Sequence, residues 1–164
     1  MITQELLIDR LDYNKYTGVF TWKNIKRNTI IKNGDVAGCK TKSGYIHILI
    51  NKKSYKAHRL AWIFLYGNIP DEMEIDHING IRDDNKICNL RLATRSQNGF
   101  NRKKQCNNTS GYKGVSFNKT TKKWIAQSSY NNKYKFIGRY NTAEEASIAY
   151  TEFNKKLRKE FIRV

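Results

Sequence analysis

The sequence predicts an α+β fold in three successive parts: a β-rich amino-terminal segment, a central strand, loop and helix, and a carboxyl-terminal three-stranded antiparallel sheet plus one helix. Three observations predict it. Short runs of Ile, Val and aromatic residues bounded by Asn, Lys and Gly recur along the chain, the pattern of strands and hairpins. Two tetrads, "TRSQ" at Thr94 to Gln97 and "TAEE" at Thr142 to Glu145, have the form of helix capping boxes. With 164 residues, the chain is long enough for one ordinary domain or two small ones.

The elements follow in order. "TGVFTWK" at Thr17 to Lys23, "GYIHILI" at Gly44 to Ile50 and "SYKAHRL" at Ser54 to Leu60 read as strands, with "NKK" at Asn51 to Lys53 turning between the last two. From His58 the period changes: Leu60, Phe64 and Leu65 share one face of a short buried helix that Gly67 ends. Pro70, the only proline, opens an acidic turn leading into Ile75, Asp76 and His77. A helix beginning near Thr94 carries Asn98 in its first turn, and the polar stretch from Asn101 to Gly111 reads as a linker. Beyond it, Tyr112 to Phe117, Lys123 to Tyr130 and Lys133 to Tyr140 form a meander whose second turn is Asn131 and Asn132. The last helix presents Ala146, Ala149, Tyr150, Phe153 and Leu157 at helical spacing and covers one sheet face. Alternating strand positions leave Lys113, Gln127, Lys135 and Arg139 on the other.

Composition narrows the function classes. A formal charge of +17 marks a polyanion binder, with nucleic acid the leading partner. Sixteen basic residues face ten acidic ones through position 98, and fifteen face four beyond it, so the carboxyl-terminal part is the main electrostatic anchor. Cys39, Cys88 and Cys106 form no C-x-x-C pair, which argues against a disulfide framework or zinc ribbon and for an intracellular, reducing compartment. Glu5 and Asp9 interrupt the start, so no secretory signal is read. The longest apolar run, Leu60 to Tyr66, is too short to span a bilayer, and no membrane partner is expected.

The chemistry concentrates in "EIDHINGIRDDNKICNLRLATRSQN", Glu74 to Asn98. Phosphodiester hydrolysis needs a base for water, a cation to offset charge on the phosphorane, and fixed geometry. A neutral imidazole suits the first task, since its ordinary pKa is about 6.5. Asp76 and Asn98 offer oxygen ligands of the type Mg²⁺ prefers, and two such groups make an incomplete site that phosphate oxygens complete. Asn89 would brace the loop through backbone hydrogen bonds.

This string resembles the HNH endonucleases, in the subgroup typical of phage and intron-borne homing enzymes. "DHINGIRDDN" at Asp76 to Asn85, "NLR" at Asn89 to Arg91, "ATRSQN" at Ala93 to Asn98 and the preceding "HRLAW" at His58 to Trp62 carry the resemblance. It implies a ββα-metal finger over residues 57–104, with His77 the general base, Asn89 the structural asparagine, and Asp76 and Asn98 the metal ligands. The third motif position is often His in the family and is Asn98 here. The implied cofactor is Mg²⁺ or another divalent cation such as Mn²⁺, with no zinc.

Residues 105–164 resemble the Apetala-type DNA-binding domain of plant ethylene-response factors, through "GYKGVSF", "KWIAQ" and "KFIGRYNTAEEASIAY". The resemblance implies that the sheet enters the major groove of double-stranded DNA, which is wide enough for it. Trp124, in the family's "KW" position, with Lys113, Gln127, Lys135 and Arg139, are the candidate DNA contacts. The plant sequences carry more strand arginines, so the plant target does not transfer. Residues 1–56 form the remaining, β-rich segment.

Arg91 and Arg95 suit a phosphate clamp through the guanidinium fork, or are solvated helix-end arginines. His47 reads as a strand-face residue and His58 as packing beside the site. Asp83, Asp84, Asn79 and Asn85 read as turn formers. The sequence thus predicts a metal-dependent DNA endonuclease, nicking as a monomer and cutting both strands as a homodimer. A non-catalytic DNA-binding regulator with a degenerate nuclease domain is the competing reading, and a nuclease selective for branched DNA a third.

Overall fold

The computed structural model describes residues 2–25, 30–101, 108–130 and 133–158, in two compact units, 1–94 and 95–164. Cys106, most of the expected linker and the Asn131–Asn132 turn lie outside the described residues, as does the side chain of Leu157.

The first unit opens with a helix that the sequence reading did not anticipate. Helix α1 (Gln4–Arg10) is capped by Thr3, whose hydroxyl accepts from the Leu6 amide at 3.3 Å, and buries Leu7 completely. Strands β1 (Leu11–Asn14) and β2 (Val19–Trp22) form a hairpin. Strands β3 (Cys39–Lys40), β4 (Ile46–Ile50) and β5 (Lys53–Lys56) form an antiparallel sheet in that order. Asn51 and Lys52, both at positive φ, make the two-residue turn between β4 and β5 that suits the twist of a hairpin.

The strand expected to run to Leu60 gives way at Ala57 to helix α2 (Ala57–Tyr66), whose chain leaves at Gly67. Its buried face is Ala57, His58, Leu60, Ala61 and Ile63; Leu65, expected on that face, is exposed. Ala57, Leu60 and Ala61 follow the three- and four-residue spacing of an amphipathic helix; Leu65 keeps that spacing, eight residues from Ala57, but sits in the last turn, just before the chain leaves at Gly67. Strands β6 (Met73–His77) and β7 (Leu90–Thr94) close the unit as an antiparallel pair. One hydrophobic core joins Leu7, Leu11, Phe20, Ile48, Leu60, Ile75 and Leu90, so the expected boundary between residues 56 and 57 runs through shared packing.

The second unit begins with helix α3 (Arg95–Asn101) and contains β8 (Val115–Asn118), β9 (Lys123–Tyr130) and β10 (Lys133–Tyr140), with β9 central. Helix α4 (Ala143–Arg158) starts in the capping box read from sequence: the Glu145 amide donates to the Thr142 hydroxyl at 3.1 Å, and the Glu145 carboxylate accepts from the Thr142 and Asn141 amides. Val115, Ala126, Ala143 and Ala146 are its small core, closed by Trp124, Ile137, Tyr140 and Tyr150. The turn before β8 lies directly against α4 at Gly114, where a Cβ would stand 2.0 Å from the Tyr150 ring. No helix among the described residues is long and apolar enough to cross a membrane.

Candidate active site

Strand β6 ends in Asp76 and His77, and β7 begins at Leu90, with Asp76 opposite Arg91 and His77 opposite Leu90. The twelve residues from Ile78 to Asn89 therefore return the chain from one leg to the other. Asn89 holds that loop from inside: its Oδ1 accepts from the Asn79 amide at 3.0 Å, and its Nδ2 donates to Asn79 Oδ1 at 3.0 Å and to the Asp84 carbonyl at 2.8 Å. Asn79 in turn donates to Asp84 Oδ2 and accepts from the Ile81 amide, an Asx turn that starts the loop.

Asp76 is 5% exposed, and a carboxylate this buried needs a partner. Arg91 supplies it, with Nε at 3.0 Å and Nη2 at 2.9 Å from Oδ2. This differs from both sequence readings of Arg91. It lies on a strand directly across from Asp76, so register turns its guanidinium to the carboxylate.

His77 is equally buried, and its Nε2 is 3.1 Å from Asn85 Oδ1. Burial pushes its pKa below the ordinary histidine value, against the upward pull of the Asn85 hydrogen bond and the nearby Asp76. Asn85, expected as a surface turn residue, is 2% exposed and is the polar neighbour of the imidazole. Sequence offers no signal for this, because an asparagine after two aspartates reads as a turn whichever way its side chain points.

Beside it, His58 packs the edge of its ring against His77 at 4.7 Å between centroids, and burial lowers its pKa to about 3. Among the described residues His58 Nδ1 is buried without a hydrogen-bond partner. Tyr45 lies 6.1 Å from His77 between ring centroids, and Lys56 and Arg82 each approach the Tyr45 ring, at 4.7 and 5.2 Å. These two cations near the histidines were missed from sequence, since they sit 21 and 5 residues away with no pattern linking them. His47 pairs with Ser54 across β4 and β5, at 2.9 Å, and Asp83 pairs with Lys40 at 2.5 Å.

Asn98 and Arg95 belong to α3, which follows β7 directly in the chain, so the element order is strand, strand, helix. Both belong to the second unit, whereas Asp76, His77 and Asn89 belong to the first. A carboxylate and a carboxamide are hard oxygen donors and fit Mg²⁺ or Mn²⁺ by chemistry. Among the described residues no three His, Cys, Asp or Glu side chains gather as a metal site. Cys39 and Cys88 are free and exposed.

In the second unit, one irregularity reorders the expected binding face. Directly paired residues share a face: Gln127 pairs with Phe136 and Arg139 with Ile125, whereas Lys135 pairs with Ser128. Ser128 is buried and bonds Asn154 of α4, so Lys135 lies on the α4 side. The register shifts between Phe136 and Gly138, and the extra residue puts Lys135 and Arg139 on opposite faces although four residues separate them. Trp124 also faces α4, its ring tilted against that of Phe117 at 5.0 Å between centroids. Gln127 and Arg139 remain on the face away from α4, with Gln127 bonded by the Tyr134 hydroxyl and Arg139 over Phe136 at 5.5 Å. Lys113 stands in the turn before β8.

Comparison with known proteins matches two families. Residues 55–100 match the HNH endonuclease model, and residues 110–160 match the AP2 domain model. Protein 3.8 of Escherichia phage T7 is 41% identical over 76 residues, 44% of this chain and 63% of that protein. An uncharacterized HNH endonuclease of Acanthamoeba polyphaga mimivirus is 36% identical over 78 residues, 47% of this chain and 41% of that one. The chain thus spans less than two thirds of either relative. A solved structure of DNA binding and cleavage by the HNH homing endonuclease I-HmuI is 25% identical, with a TM-score of 0.43, over 55% of this chain and 49% of that one.

Proposed function

From an HNH endonuclease domain followed by an AP2 domain in one chain, we propose a metal-dependent DNA endonuclease of the homing type, which cuts double-stranded DNA near a site that the second unit reads. The observation that carries this is the pairing of a buried His77, its pKa lowered by burial, with an arginine-held Asp76 at the end of one short strand.

Each residue then has a task. His77 takes the proton from a water as that water's oxygen attacks phosphorus, and burial keeps the imidazole unprotonated and able to accept it. The P–O3′ bond breaks as the new P–O bond forms, leaving a 5′-phosphate and a 3′ oxygen that solvent protonates. Arg91 holds the Asp76 carboxylate in one orientation, and Asn89 keeps the legs of the loop together. A divalent cation held by Asp76 and Asn98 would supply charge neutralisation at the phosphate and the leaving oxygen. Lys56 and Arg82, at the Tyr45 ring, suit the flanking phosphates, as does Arg95.

For recognition, the sheet face away from α4 would enter the major groove with Gln127 and Arg139, and Lys113 would touch the backbone. One active site cuts one strand, so a monomer nicks and a homodimer makes a double-strand break.

The test is cleavage of supercoiled plasmid carrying sites selected from a randomised library, with Mg²⁺, Mn²⁺ or a chelator. Nicking that needs the cation and disappears in His77→Ala is expected. Cutting with chelator present, or a His77→Ala variant as active as the unmodified chain, would overturn the mechanism. Specific binding without cleavage under any divalent cation would favour a DNA-binding regulator.

A further inference from the structure

We propose that Asn85 sets the tautomer of His77, and that the amino-terminal β1–β2 hairpin, outside the region matched by the nuclease family, is the part of the fold that holds Asn85 in position. The inference rests on the reading of His77 as the base for its kinetic consequence, and on geometry alone for its structural one.

A carboxamide oxygen accepts and cannot donate. With Asn85 Oδ1 at 3.1 Å from His77 Nε2, the neutral ring carries its proton on Nε2, and Nδ1 is the ring's acceptor atom. The other tautomer would set a lone pair against a lone pair in a buried site. Asn85 is therefore a positioning residue: it acts through His77 and leaves the reacting water to the ring.

What holds Asn85 comes from more than sixty residues upstream. The Tyr13 hydroxyl, on β1, donates to the Asn85 carbonyl at 2.7 Å, and burial raises the Tyr13 pKa well above its ordinary value, so the group is a permanent donor. The Ile87 amide donates to the Lys15 carbonyl at 3.2 Å. At Gly18, in the hairpin turn, a Cβ would stand 2.5 Å from both the Asn85 carbonyl carbon and the Lys86 nitrogen, and φ is +75°. No side chain fits there, so the hairpin backbone lies directly against the peptide that presents Asn85. Three contacts from separate hairpin residues converge on residues 85 to 87, and the side chain of the first meets the histidine.

The experiment uses the full ¹⁵N-labelled chain and long-range ¹H–¹⁵N correlation spectra of the histidine rings at one pH, near 7.5. His77 is expected as a single Nε2–H tautomer. Asn85→Ala should give a mixture, Asn85→Asp, which keeps an oxygen acceptor, should retain Nε2–H, and Tyr13→Phe should give a smaller admixture. In plasmid cleavage, kcat should fall tenfold or more in Asn85→Ala and severalfold in Tyr13→Phe, with DNA Kd unchanged within twofold. Should Asn85→Ala fail to fold, Tyr13→Phe, which removes one hydroxyl, carries the test. An Nδ1–H ring in the unmodified chain, or tautomer and kcat both unchanged in Tyr13→Phe and Asn85→Ala, would overturn the proposal. The spectra need no DNA, so a chain that never cleaves would overturn the nuclease reading while the tautomer result stood by itself.

Discussion

Replacing Asn89 by Ala should loosen the loop between β6 and β7. Three hydrogen bonds to the side chain disappear, from the Asn79 amide, to Asn79 Oδ1 and to the Asp84 carbonyl, at 2.8 to 3.0 Å. A net loss of about 1 kcal/mol for each gives roughly 3 kcal/mol, since the carboxamide is 8% exposed and the partners it leaves gain no easy access to water. Because the chain has two compact units, a global melting curve would blend them; amide hydrogen exchange reports the first unit directly. The Asn79 amide, which donates to Asn89 Oδ1, and the Ile78 amide, which donates to the Asn89 carbonyl at 2.8 Å, should lose protection equivalent to that energy. A loss below about 1 kcal/mol at Asn79 would mean that backbone pairing alone holds the loop, and would refute the bracing argument.

Further outcomes follow from other residues. The His58 pKa is lowered to about 3, so between about pH 6.5 and 3 the unfolded chain binds a proton that the folded one refuses; stability is full above pH 6.5 and should fall by roughly 3 kcal/mol by pH 4, with His77 adding in the same direction, as denaturant midpoints against pH would record. A His58→Leu variant should flatten much of that slope. Arg139→Ala should lower the log–log salt dependence of DNA binding by about one unit, while Lys135→Ala, on the α4 side, should leave it nearly unchanged; equal effects would contradict the bulge assignment. Gly114→Ala, at φ +72° and against Tyr150, should destabilise the second unit by about 2 kcal/mol or more, read as lost exchange protection in β9 with β6 and β7 unaffected.

Strands β9 and β10 run over the residues read from sequence, because apolar alternation ending at turn residues depends only on neighbours along the chain. The α4 capping box was legible for the same reason: its two hydrogen bonds close within four residues. Helix α1 was missed although Thr3 and Glu5 mark its start, since seven residues give too few turns for a period to emerge. Lys135 and Arg139 were grouped by a period of two that a single bulge breaks; Gly138, a lone glycine inside the strand, is the one mark of that bulge in the sequence.

In the candidate site, residue types and spacing determined the chemistry on offer: a histidine beside a carboxylate, an asparagine twelve residues on, a cation-rich second unit, and two families matched in series. Those are local or compositional properties, and they survive without coordinates. Tertiary structure alone decided what surrounds the histidine. Asn85 turns inward because Tyr13 and Gly18 hold its backbone, and Arg91 meets Asp76 because two strands pair in one register. Such contacts join residues separated by up to 72 positions, where the chain carries no periodic signal and only packing sets which side chains meet.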